Sequence, residues 1–86
     1  MAESVQVIVR FFAAARAAAG AEDEQLTVRT GATVADVVNE LGCRSEELAR
    51  VLQRCSFLCD GIAVRDQALE LQSGQTLDVL PPFAGG

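Results

Sequence analysis

The 86 residues are enough for one domain with a small core, and half of them are apolar against 22% charged, the composition of a folded globule. Seven basic residues, all arginine, face twelve acids for a net charge of −5, so no basic face can neutralise phosphates and nucleic acid is excluded as a partner; a partner with a basic docking surface fits the charge better. Histidine, lysine, tyrosine and tryptophan are absent, which removes the ordinary near-neutral base, the Schiff-base amine and the phosphate loop ending in Gly-Lys-Ser/Thr.

Val5–Phe12 alternates and is rich in β-branched residues, so it predicts a strand with Val5, Val7, Val9 and Phe11 on one side. Ala13–Ala19 predicts a short helix or turn closed by Gly20. Glu22, Asp23 and Glu24 read as a solvated turn before a second short strand carrying Leu26 and Val28, antiparallel to the first. Thr33 is placed to cap a helix, with Asp36 completing a capping box. Val34, Val37, Val38 and Leu41 form its apolar face, and Gly42 is expected to supply a left-handed stop.

Ser45 caps a further helix with Glu46 and Glu47 in its first turn and a stripe of Leu48, Val51, Leu52 and Cys55. Phe57–Cys59 and Ile62–Val64 flank Asp60-Gly61, the dipeptide of a two-residue hairpin. Ser73-Gly74 marks a turn, and Thr76–Leu80 is the last strand, with Leu77 and Val79 inward. The order predicts an α+β fold, a mixed sheet of about five strands with helices packed on one face. A first strand crossed by a central helix is the plan of the ubiquitin-like β-grasp. Residues 1–80 are read as the domain and 81–86 as an extended tail.

Cys43, Cys55 and Cys59 are odd in number and contain no CxxC pair, which argues for small buried hydrophobes and against a disulfide scaffold or metal site. The first residues lack a signal-peptide pattern, and no apolar run approaches the roughly 20 residues that span a bilayer. The expectation is a cytoplasmic protein with no membrane partner.

The chemistry is expected in Leu80-Pro81-Pro82-Phe83-Ala84-Gly85-Gly86. Pro81 and Pro82 cannot continue a ladder and hold φ near −65°, launching a stiff spacer. Gly85 and Gly86 have no side chains, so a carboxylate at their end can thread a narrow channel. The reacting group would be the main-chain carboxylate of Gly86, with Pro81, Pro82, Phe83, Ala84 and Gly85 as the inserted segment. The bland alternative is a frayed end.

Four segments together resemble a known family: Val9-Arg10-Phe11-Phe12-Ala13, Gly31-Ala32-Thr33-Val34, the strands around Asp60-Gly61, and the Pro-Pro-Phe-Ala-Gly-Gly ending. They resemble the small subunit of molybdopterin synthase, one of the sulfur carriers of the ubiquitin-like β-grasp superfamily. The double glycine is shared with ubiquitin-like modifiers and with the carriers of thiamine and cysteine biosynthesis. Pro81-Pro82 and Phe11-Phe12 narrow the resemblance to the molybdopterin branch, while Phe83 stands where a smaller or β-branched residue is expected.

The resemblance implies a non-catalytic carrier that binds no cofactor or metal. An E1-like adenylating enzyme, using ATP and Mg, would activate Gly86. A sulfur donor protein would convert it to a thiocarboxylate, and the synthase large subunit would supply the catalytic residues for sulfur transfer to the cyclic pterin precursor. A carrier for thiamine or cysteine biosynthesis, a ubiquitin-like modifier and a plain interaction domain are the other readings. Strand parity adds a docking expectation: Phe12 and Leu80 point to the uncovered side of the sheet and, with Ile62, form an apolar patch beside the tail for the large subunit and the adenylating enzyme in turn.

Overall fold

The computed structural model describes residues Glu3–Pro82. Eight elements follow in the order β1 (Ser4–Phe11), α1 (Ala13–Ala19), β2 (Asp23–Arg29), α2 (Val34–Gly42), α3 (Glu46–Leu52), β3 (Ser56–Cys59), β4 (Ile62–Ala63) and β5 (Thr76–Leu80). The strands form one sheet ordered β2-β1-β5-β3-β4. Only the central β1–β5 pair is parallel; β1–β2, β3–β5 and β3–β4 are antiparallel. This is the β-grasp plan, with the three helices on one face.

Alternation decides which face is buried. Val7, Val9 and Phe11 of β1 and Leu77 and Val79 of β5 are buried under Leu41 of α2 and Leu48 and Leu52 of α3, all in one core cluster. At Asp60 and Gly61 both φ angles are positive, +50° and +82°, as a two-residue turn matching the sheet's twist requires. The turn is fastened to β5, since Thr76 N–H donates to Asp60 Oδ1 at 2.9 Å.

The helix starts follow the caps read from the sequence. Thr33 Oγ1 accepts from Asp36 N–H at 3.2 Å and Thr33 N–H donates to Asp36 Oδ2 at 3.0 Å, a complete capping box. The next amides, Val34 and Ala35, donate to the carbonyls of Leu69 and Gln67. The long connection after β4 thus lies over the α2 N-terminus and buries Leu71. Ser45 caps α3 by accepting from Leu48 N–H at 3.0 Å.

Three expectations are corrected. Asp23 and Glu24 are not a turn: β2 begins at Asp23, opposite Arg10, because the β1 edge takes up its backbone, with Phe11 N–H donating to Glu22 C=O at 2.8 Å. Gly42 is not a left-handed stop. It lies inside α2, the following cap Cys43 is right-handed at φ −75°, and Gly42 packs against Ala49 of α3. Cys59 is buried and Cys55 half-buried, but Cys43 is exposed.

Candidate functional site at the tail root and the outer sheet face

β5 ends where β1 ends, because the two run parallel with Phe11 beside Val79. Phe12 N–H continues that ladder, donating to Val79 C=O at 3.2 Å. Pro81 is still buried, and Pro82 is the first exposed residue of the tail segment. Phe83, Ala84, Gly85 and Gly86 lie outside the described residues. The root of the tail is therefore fixed in the middle of the sheet, against α1 and α3.

Phe12 is not the last residue of β1 but the N-cap of α1, in extended conformation. The next residue, Ala13, takes φ +51°, a left-handed value that reverses the chain sharply. Phe12 thereby keeps the outward parity of Ile8 and Arg10, and the Arg10 guanidinium sits 5.5 Å from its ring centroid. Phe12 and Leu80 are both half-buried, adjacent across the β1–β5 ladder.

Ile62 does not join them. It is paired with Cys59 in β3, whose side chain is buried on the helix side, and β4 is two strands from β5. Directly opposed residues share a face, so Ile62, 73% exposed, points away from the Phe12–Leu80 face. The hairpin register explains this: with a two-residue turn, Ile62 must carry the parity of Cys59. Its neighbours are Leu69 and Ala68, around a separate shallow depression.

The outer face contains residues that the sequence reading did not single out. Ile8 is exposed and Leu58 half-exposed, and both have outward parity. Between them Arg10 and Asp78 are cross-strand partners. Arg10 Nε donates to Asp78 Oδ1 at 2.6 Å and Nη2 to Oδ2 at 2.9 Å. Both oxygens of the buried carboxylate are thus occupied, and the face combines apolar side chains with a self-neutralised ion pair. Parity counted from Phe11 and Val79, which Arg10 and Asp78 immediately precede, puts both of these on the outer face, while their pairing depends on the β1–β5 register.

A model of the ThiS family matches residues 9–86. The chain belongs to that family. The molybdopterin synthase sulfur carrier subunit of Chlamydomonas reinhardtii is 29% identical over 83 residues, covering 95% of this chain and 100% of that protein. The Haloferax volcanii HVO 2177 protein superposes with a TM-score of 0.85 at 30% identity, covering 98% of this chain and 89% of its own. Small archaeal modifier protein 1 from Methanosarcina acetivorans gives 0.78 at 26%, with 96% and 98% covered. A chain of the protein-protein complex of subunits 1 and 2 of the molybdopterin-converting factor from Helicobacter pylori shares the fold, at 0.67 and 22%, with 95% and 100% covered.

Among the described residues no group of three or more His, Cys, Asp or Glu is placed to hold a metal ion, and no helix is long and apolar enough to cross a membrane. Burial pushes the thiols of Cys55 and Cys59 above their ordinary value, with Asp60 adding to the effect at Cys59, which disfavours their thiolates.

Proposed function

We propose that this chain is the sulfur carrier of a molybdopterin synthase. The observation that supports this most is that the family match runs through Pro81-Pro82-Phe83-Ala84-Gly85-Gly86, so the segment with the expected chemistry belongs to the matched region. The name of the Chlamydomonas relative supports the molybdopterin branch. The two-subunit Helicobacter complex supports the synthase large subunit as a partner.

In this reading a carboxylate is too poor an electrophile to accept sulfur directly. The adenylating enzyme joins the Gly86 carboxylate to the α-phosphate of ATP and releases pyrophosphate; Mg and ATP are bound there. A sulfide-level sulfur from the donor protein attacks the acyl carbon, the bond to AMP breaks with AMP as the leaving group, and the thiocarboxylate remains. In the large subunit that sulfur attacks the pterin precursor, and hydrolysis of the acyl link restores the Gly86 carboxylate. Two charged carriers serve one dithiolene. The carrier's lack of histidine and lysine suits a chain whose partners supply acid, base and metal.

Phe12 and Leu80, extended by Ile8 and Leu58, form the docking face in this reading, beside the tail root. Isolating the carrier with its adenylating enzyme and sulfur donor and measuring its intact mass tests the chemistry. The expected product has one oxygen exchanged for sulfur, and a mass that stays unchanged rejects it. The likeness to small archaeal modifier protein 1 favours a second reading, attachment to target lysines. That reading expects heavier conjugates surviving denaturing gels.

A further inference from the structure

Pro81 and Pro82 form one wall of a depression of about 420 Å³ whose other walls come from α1 and the end of α3. Its apolar lining is Ala14, half-buried Val51 and the prolines; its charged lining is Arg50 and Arg54. These arginines are four residues apart, Arg50 in the last turn of α3 and Arg54 just beyond it. This spacing sets two like charges close together, and an anion between them relieves their mutual repulsion.

Among the described residues no anion does. The ion pairs among the described residues use Arg10, Arg16 and Arg44. Glu46 lies one turn before Arg50, at the spacing that suits a bridge, yet they form none. In a chain of net charge −5, a basic spot with an apolar floor stands directly at the root of the tail. Arg29 is at the opposite end of the sheet, level with Ser4.

Resting on the sulfur-carrier reading, we infer that Arg50 and Arg54 dock an acidic peptide segment of the synthase large subunit, at the mouth of the channel that takes up the tail. A carboxylate engages the two guanidiniums, and an apolar neighbour fills the floor against Val51 and Pro81. Charge complementarity identifies this occupant. An acidic segment is repelled over most of this surface and attracted here, which fixes the position of the tail root as well as adding affinity. The four residues after Pro82 span at most about 14 Å when extended. Arg50 and Arg54 line the root at Pro81 and Pro82, so their contribution is assigned to docking and not to the chemistry at Gly86.

The test measures binding of the full-length carrier to a molybdopterin synthase large subunit, with single-turnover sulfur transfer at saturating carrier as a second readout. Arg50→Glu with Arg54→Glu is expected to weaken binding at least about tenfold at low ionic strength, with the difference shrinking in roughly 1 M salt, where screening acts over about 3 Å. The saturated transfer rate stays unchanged, and Arg50→Lys with Arg54→Lys recovers part of the affinity. Equal affinity of the reversed and native carriers, or a difference indifferent to salt, overturns the inference. Loss of binding only to an oligonucleotide or polyphosphate overturns it too. If the native carrier binds no large subunit, the sulfur-carrier reading itself fails and takes this site with it. Both arginines are exposed, and a thermal melt verifies folding; should the reversed variant melt early, Arg50→Gln with Arg54→Gln decides by the same criteria.

Discussion

Arg10 and Asp78, on neighbouring parallel strands, hold each other through two hydrogen bonds of 2.6 and 2.9 Å, with the Asp78 side chain 7% and the Arg10 side chain 51% exposed. Asp78 pulls the Arg10 guanidinium further above its ordinary value, chiefly through the hydrogen bond. The asymmetry matters more than the pair's net strength. Arg10→Ala strands a buried carboxylate without either partner, so it is expected to lower Tm by about 5 °C or more. Arg10→Met with Asp78→Leu removes both charges and should recover most of that loss. Calorimetric melts of the single and double variants check this; a double variant as unstable as the single one contradicts it.

The sheet register gives the proposed docking face a sharp boundary. Phe12→Asp or Leu80→Asp should reduce affinity for the large subunit by about tenfold or more, because a charge is desolvated within an apolar contact. Ile62→Asp should change it by less than about twofold, since Ile62 faces the other side at the far edge. Binding measured on all three variants, each verified folded by circular dichroism, separates a one-face from a two-face platform.

Two carboxyls tie stability to acid. The Thr33 backbone N–H holds the Asp36 carboxyl below its ordinary 3.8, and the Arg44 hydrogen bond holds Glu24 below 4.5. Groups held down in the fold contribute fully above their unfolded values, and that contribution disappears as pH falls through the folded ones. Native Tm should therefore decline from about pH 4.5 downward. Asp36→Asn with Glu24→Gln should be less stable at neutral pH and decline less steeply. Thr33→Ala, which removes the cap itself, is expected to cost about 1 kcal/mol at neutral pH. Melts across the acid range distinguish the two effects.

Removing Gly85 and Gly86 tests the tail apart from the platform. The shortened carrier should keep its Tm within about 1 °C, since Pro81 remains buried in the globule. It should lose sulfur transfer altogether while still binding the large subunit. Transfer that survives the deletion would refute the role assigned to Gly86.

Much of this architecture was legible in local patterns. The alternation of Val7, Val9 and Phe11, the Thr33–Asp36 capping box and the Asp60-Gly61 turn each depend on residues within a few positions of one another, so the chain states them outright. What escaped depends on partners distant in sequence. Asp23 joins β2 only because the β1 edge lies beside it, and Gly42 stays within α2 where it packs against Ala49 of α3. Arg10 and Asp78 are 68 positions apart. The side of the sheet on which Ile62 lies follows from its pairing with Cys59, which its own hydropathy does not disclose. The basic depression likewise needs α3 and Pro81 to meet.

The placement of β5 between β1 and β3 has a consequence for biosynthesis. Residues 76–80 are the keystone of the sheet, and without them the halves on either side have no shared ladder. A nascent chain that has not yet released this stretch from the ribosome has no finished sheet to offer a partner. Completion of the fold thus waits for β5, and under the proposed function an incomplete carrier is screened out by its own topology.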